Sequence, residues 1–83
     1  MEEKLLLELL IEKCDNNCLS HILKIDCLIT HISKDFVILL THNKLVETIL
    51  LKMNNRIILE KIISTLYWKN KVIIVKYKRS KTF

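Results

Sequence analysis

The stretch of residues 43–68 constrains the fold of this chain more than any other segment. Apolar residues recur there every three or four positions, the spacing that places side chains on one face of an α-helix. The first part of this stripe contains Val46, Ile49, Leu50, Met53 and Ile57. At ~1.5–3 kcal/mol for each large apolar side chain that becomes buried, the stripe would contribute on the order of 10 kcal/mol before conformational entropy is subtracted. The spacing therefore predicts a long amphipathic helix whose stripe faces the core.

The predicted helix changes its apolar face near the middle. Beyond Asn54 and Asn55 the stripe moves to a different azimuth, where it consists of Leu59, Ile62, Ile63 and Leu66. Three explanations stay open: the helix kinks at the asparagines, Asn55 begins a second helix, or the two faces contact different neighbours. After the helix, Asn70 is expected to form a left-handed C-terminal cap.

Shorter elements are predicted on both sides of this helix. Helices over residues 2–13 and 18–24 precede two strands, over 26–32 and Phe36–Thr41. The link between the strands has hairpin length, which predicts antiparallel pairing. A third strand is expected at Val72–Tyr77. The predicted class is therefore α+β, in the order α-α-β-β-α-β, with a three-stranded sheet packed by one long helix and two shorter helices.

The second strand lacks the alternation of a half-exposed strand, because residues 36–40 are all apolar. Such a strand is expected at the centre of a sheet, or beneath cover on both faces. The polar residues between elements are the predicted helix caps. One of residues 15–17 is expected to cap the second helix, and Thr41 or Asn43 the long one.

The chain contains no glycine and no proline. Turns that need a positive φ must therefore be avoided, or be formed by Asn or Asp. A Walker A loop and a dinucleotide-binding turn both need glycine where the backbone approaches phosphate, so neither motif is present. We therefore expect no nucleotide hydrolysis within this domain.

Positive charge is concentrated at the C-terminal end. The net charge of the chain is +5, whereas residues 1–68 sum to −1. The six basic residues that follow, with no acidic residue among them, are Lys69, Lys71, Lys76, Lys78, Arg79 and Lys81. No apolar run approaches the ~20 residues of a membrane helix, and the acidic N-terminus lacks a signal-peptide pattern. We expect a cytoplasmic protein without membrane contact, whose three cysteines are reduced.

Reactive side chains do not form a recognisable site. Cys14, Cys18 and His21 would share one face of a continuous helix, but their spacing is not a standard zinc pattern, so half-buried thiols are expected. The other histidines, His31 and His42, lie on separate elements, without the base, orienting group and oxyanion site of nucleophilic catalysis. We expect no catalytic residue, no metal and no cofactor.

Candidate contact residues lie at the basic end and in the aromatic residues beside it. Trp68 either caps the core or is an exposed anchor, since Trp and Tyr are favoured in interface hot spots. Tyr77 lies between two lysines, as on surfaces where bases stack. The predicted contacts to a partner or nucleic acid are Trp68, Lys69, Lys71, Lys76, Tyr77, Lys78, Arg79 and Lys81. A solvated basic tail over residues 78–83 is the alternative that needs no ligand.

The element order resembles a small domain of bacterial replication proteins. The resemblance covers roughly residues 4–77 and is carried by the hydrophobic spacing of segments 19–23, 27–32, 36–41, the long helix and 72–75. The chain is similar to the C-terminal, polymerase-binding domain of the tau/gamma subunit of DNA polymerase III, and to the N-terminal domain of the replication initiator DnaA. The initiator domain usually has an aromatic residue in its second helix and often a Trp in its first. This chain has CLSHI at 18–22 and a plain leucine helix before it, which favours the tau form.

The resemblance implies a single type II KH-like interaction domain over residues 1–77 and a basic tail over 78–83. It also implies a non-enzymatic role in the clamp loader, serving the DNA-directed DNA polymerase. The implied partners are the polymerase III alpha subunit and the replicative helicase. One alternative is a KH-like module that binds DNA or RNA through its basic end, although the GxxG clamp of such domains cannot form without glycine. The other is an initiator-like domain for helicase binding or self-association.

Overall fold

The computed structural model of the protein describes residues 1–79. Four helices and three strands follow one another as α1 (Glu3–Lys13), α2 (Asn17–Asp26), β1 (Cys27–Ile32), β2 (Phe36–Thr41), α3 (Lys44–Leu51), α4 (Met53–Tyr67) and β3 (Val72–Tyr77). The predicted α+β class is confirmed, with one more helix than the spacing predicted. Within residues 1–79, no helix has both the length and the apolar content needed to cross a bilayer.

The predicted long helix is interrupted at Lys52, so of the three explanations left open a second helix is the one that forms, although it begins at Met53 and not at Asn55. Lys52 has extended backbone angles, φ −61° and ψ 133°, which separate α3 from α4. The break lies three residues before Asn55, whose side-chain Nδ2 donates to the Ile49 carbonyl at 2.8 Å across it. Because α4 is reoriented there, Met53 and Ile57 are 74% and 53% exposed and do not face the core as predicted.

The N-terminal caps of α2 and α3 form at residues that the sequence predicted. Asn43 Oδ1 accepts from the backbone N–H groups that begin α3, and Asn16 Oδ1 accepts from Leu19 N–H at 3.0 Å. At the end of α4 the left-handed residue is Trp68, with φ 54° and ψ 32°, and not Asn70. Lys69 N–H then reaches back to the Ser64 carbonyl at 3.1 Å, the long-range bond of a Schellman-type ending.

The sheet has the order β1-β2-β3, which confirms β2 as the central strand. β1 and β2 pair antiparallel, as predicted, with an irregularity between Ile29 and His31. β2 and β3 are parallel, with Ile38 opposite Ile74. Parallel neighbours need a crossover, and the α3–α4 pair supplies it.

The core lies between the helices and one face of the sheet. From the helices it takes Leu6, Leu10, Leu19, Leu23, Val46, Leu50, Leu59 and Ile63. The strands contribute Cys27, Ile29, Val37, Leu39 and Ile73. These strand residues alternate with exposed or half-buried ones. Among residues 1–79, every helix therefore packs against the same face, and the opposite face of the sheet is open.

Candidate interaction surface

Trp68 lies at the surface with 95% of its area exposed, so the interpretation that it caps the core is wrong. Its backbone is left-handed, a region that bulky residues rarely occupy and that costs roughly 1–2 kcal/mol. The Schellman-type ending of α4 imposes this geometry and directs the chain toward β3. A large apolar side chain that is exposed to water and lies on a strained backbone is a candidate functional residue.

A groove of about 860 Å³ lies beside Trp68, between α4 and the start of β3. Its apolar wall includes Ile57 and Val72, which are 53% and 51% exposed. Lys61 and Lys69 line it as exposed cations. We call this cluster of Trp68, Ile57, Val72, Lys61 and Lys69 the Trp68 groove. Its chemistry suits an apolar side chain that is flanked by acidic groups.

The groove also contains an acidic residue, Glu60, whose carboxylate already accepts hydrogen bonds within the fold. Glu60 Oε2 accepts from the Ile73 backbone N–H at 2.8 Å and from Arg56 at 3.3 Å. In the first of these bonds the donor, the Ile73 N–H, lies on the outer edge of β3. Alternate N–H groups of this strand point toward β2, and that of Ile73 is one of those that point away from it. Glu60 therefore fixes α4 against the edge strand, and the groove presents mainly apolar and basic groups.

Lys71, which the sequence predicted as a contact, borders the groove, but its ammonium is engaged within the fold. It is only 6% exposed, and its ammonium donates to the carbonyls of Ser33 and Lys34, the latter at 2.8 Å. The same ammonium lies 4.6 Å from the centroid of the Tyr67 ring. Lys71 therefore ties the β1–β2 turn to the end of α4 and is not available to a partner.

Lys69 stays at the surface but has a neighbour of opposite charge. Its ammonium lies 3.2 Å from Asp35 Oδ1, with side chains 40% and 77% exposed. Water and salt screen such an exposed pair, so it contributes little to stability. Lys69 can exchange Asp35 for an acidic group of a partner without leaving a buried charge unpaired.

The remaining predicted contacts lie at the far end of β3, roughly 20 Å from Trp68 at ~3.3 Å per residue. Alternation along the strand puts Tyr77 on the helix side, where Lys44 Nζ is 5.1 Å from its ring centroid. Lys76, Lys78 and Arg79 are exposed. Tyr77 and Lys76 therefore lie on opposite faces of the sheet, and the predicted surface divides into two. Lys81 lies outside the described residues.

Cys27 and His42 have structural environments in the fold. Burial, and then the Asp26 carboxylate, raise the pKa of Cys27 from its ordinary value of 9.0 to about 12, which keeps this thiol protonated and unreactive. His42 Nδ1 lies 2.6 Å from the Lys78 carbonyl and extends the contact between β2 and β3. Within residues 1–79, no three His, Cys, Asp or Glu side chains are placed to hold a metal ion.

Sequence reasoning missed the groove because two of its walls, Ile57 and Val72, were assigned to the core and to an ordinary strand. The shift of the apolar stripe after Asn55 was the available signal, since it indicated that Ile57 does not share a face with Leu59.

Comparison with protein-family models, curated proteins and solved structures finds no match. Function must therefore be inferred from the fold and from these surfaces.

Proposed function

We propose that this chain is a non-catalytic protein-interaction domain of the bacterial DNA replication machinery, and that it docks through the Trp68 groove. In this proposal it acts like the tau domain it resembles, by coupling to the polymerase III alpha subunit. The α+β fold class agrees with what the resemblance implies. The family assignment itself rests on the resemblance alone.

The observation that carries the proposal is the exposure of Trp68 beside an apolar groove. Hot spots at protein interfaces are enriched in Trp, Tyr and Arg, and they fill pockets from which water is excluded. Because Trp68 is 95% exposed, its hydrophobic surface contributes almost nothing to folding. Burial of that surface in a complex would contribute to binding instead. The end of α4 needs a left-handed residue at this position, and glycine would supply it without strain. The fold therefore does not explain why the residue is a Trp.

The test is retention of the polymerase III alpha subunit and the replicative helicase of the source organism on the immobilised domain. Trp68→Ala should weaken the retained complex roughly 30-fold, the effect of losing a hot spot of about 2 kcal/mol. Leu45→Ala is the matched control, because Leu45 is 67% exposed on α3 and lies outside the groove. Retention of neither protein, or equal retention by both variants, would contradict the proposal. Retention of the helicase alone would favour the initiator-like alternative.

A second candidate function is binding of single-stranded DNA or RNA at the far end of β3. Lys76, Lys78 and Arg79 are exposed there and succeed one another without an acidic residue. Fluorescence anisotropy of a labelled oligonucleotide should then show micromolar binding that weakens steeply with salt, and Lys76→Ala should reduce the salt slope. Binding that is absent or insensitive to salt would remove this candidate.

A further inference from the structure

The open face of the sheet is apolar, although it faces water. Residues opposite one another in the sheet share a face, so the register defines this surface. It consists of Leu28, His31, Phe36, Ile38, Leu40, Val72, Ile74 and Lys76. Six of these eight side chains are apolar. An antiparallel or mixed sheet with one solvated face is expected to carry polar residues there, so this face has the composition of a covered one.

The exposure of its members confirms that none of the described elements covers it. Leu28, Val72 and Ile74 are 55%, 51% and 38% exposed. With strands ~4.8 Å apart and a rise of ~3.3 Å per residue, the face measures roughly 15 by 20 Å, or about 300 Å². Contiguous apolar patches of that size on a small domain are often interaction sites.

We propose that a second copy of this chain covers the open face, related by a two-fold axis that runs parallel to β2. This operator stacks β1 of one copy over β3 of the other, and it brings Ile38 and Leu40 against their own counterparts. The contact is isologous, so it closes as a dimer and does not propagate into a filament. Stacked sheets lie ~10 Å apart, a distance that interdigitating Ile and Leu side chains fill.

Charge supports a second copy as the occupant, in the arrangement with β1 over β3. Asp26 immediately precedes β1, and Lys78 continues β3, with its N–H bonded to the Thr41 carbonyl at 3.0 Å. The two residues lie at the same end of the sheet on opposite edges, because Cys27 pairs with Thr41 and Thr41 with Tyr77. The proposed axis places Asp26 of each copy over Lys78 of the other, so two opposite-charge pairs form.

The alternative face-to-face arrangement has its two-fold axis across the strands, and it does not form these pairs. That operator stacks β3 over β3 with the two strands running in opposite directions, so Lys78 lies toward the residues that precede β3 in the second copy, among them Lys69. Asp26 is then at the opposite end of the contact from the second copy's Lys78. The Asp26–Lys78 pair therefore distinguishes the two axes.

The dimer should be weak, because the face offers about 300 Å² per partner against the ~800 Å² of a standard interface. Sedimentation equilibrium from ~20 µM to ~1 mM covers the range in which such a contact becomes populated. The weight-average mass should rise from 9.9 kDa toward twice that value over this range. Ile74→Lys should abolish the rise, because it places a cation in the centre of the contact.

Leu5→Lys is the matched control for Ile74→Lys. Leu5 is 44% exposed on α1, on the helix side of the sheet, whereas Ile74 is 38% exposed on the open face. Leu5→Lys should leave the association unchanged, and circular dichroism checks that both variants are folded. If Leu5→Lys abolishes the association and Ile74→Lys does not, the open face is not the interface and the proposal is overturned.

A charge exchange tests the geometry without altering an apolar residue. Asp26→Lys and Lys78→Asp should each weaken the dimer several-fold, and the two together should restore it, because the pair then forms with its signs reversed. Failure of the double variant to recover would overturn the proposed axis. A wild-type chain that stays monomeric to ~1 mM would overturn the proposal and assign the open face to a different partner.

Discussion

Replacing Lys71 by Met tests whether one buried lysine holds the β1–β2 turn against the helical layer. Met keeps the unbranched stem of the side chain and removes the ammonium. The native ammonium donates to two turn carbonyls and lies 4.6 Å from the Tyr67 ring centroid. Hydrogen bonds from charged groups contribute ~1.5–3 kcal/mol each, and a cation–π contact ~0.5–2 kcal/mol. Desolvation of the ammonium offsets part of this, so we expect a net loss of about 2–3 kcal/mol.

Urea unfolding followed by far-ultraviolet circular dichroism is the appropriate assay. With a slope of ~1 kcal/mol per molar urea for a domain this small, Lys71→Met should lower the midpoint by about 2–3 M. Tryptophan fluorescence is a poor probe here, since Trp68 is already 95% exposed in the folded chain. Lys24→Met is the control, because Lys24 is exposed on α2 and a change there should stay within ~0.5 kcal/mol.

The result that would refute this reasoning is a Lys71→Met variant as stable as the wild type, or more stable. Desolvation of the buried ammonium would then outweigh its hydrogen bonds, as it does for some buried ion pairs. In that case the turn would be held by the β1–β2 ladder and by the bond from Val72 N–H to the Asp35 carbonyl, and the burial of Lys71 would be tolerated without stabilising the fold.

Three further predictions concern single positions. Trp68→Gly should raise the unfolding free energy by up to ~1 kcal/mol, because glycine adopts the left-handed angles without strain, and urea titration measures the change. Cys27 should resist a thiol reagent at pH 8 while exposed Cys18 reacts. Because the folded pKa of Cys27 is about 12 against 9.0 ordinarily, its protonated form stabilises the fold below pH 9, and this stability is lost as pH rises from 9 toward 12. The decrease in unfolding free energy between pH 8 and pH 10.5, measured by urea titration, should be smaller for Cys27→Ala than for the wild type. Asn43→Ala should cost ~1 kcal/mol by removing the α3 cap, whereas Asn54→Ala on exposed α4 should cost almost nothing in the same titration.

The secondary structure was predictable wherever short-range patterns decide it. The helix spacing in residues 2–13, the apolar run of β2 and the cap at Asn43 each depend on residues close in sequence. The break at Lys52 was not predictable in this way, because lysine is a good helix former and no glycine or proline marks the position. The hydrogen bond from Asn55 to Ile49 and the packing of two helices over a parallel strand pair favour the break there.

The candidate surface was predictable in composition but not in arrangement. Lys69 and Lys71 look equivalent in sequence, yet the first lies at the groove and the second is buried under the β1–β2 turn. Tyr77 and Lys76 are neighbours in sequence but lie on opposite faces of the sheet. Such differences depend on which face of β3 the helices cover, and that choice involves contacts between residues more than thirty positions apart.

Two properties follow from the amino-acid order without a fold: the elements that form locally, and the absence of any glycine-dependent phosphate loop. Periodicity assigns side chains to faces of an element, because the helix and strand repeats are set by backbone geometry. Which of those faces meets another element is decided in three dimensions. The extended backbone at Lys52 and the packing of all four helices on one side of the sheet expose Ile57 and leave the second face of β2 in water. The surfaces available to a partner are therefore consequences of packing, and the same local elements, assembled differently, would have buried them.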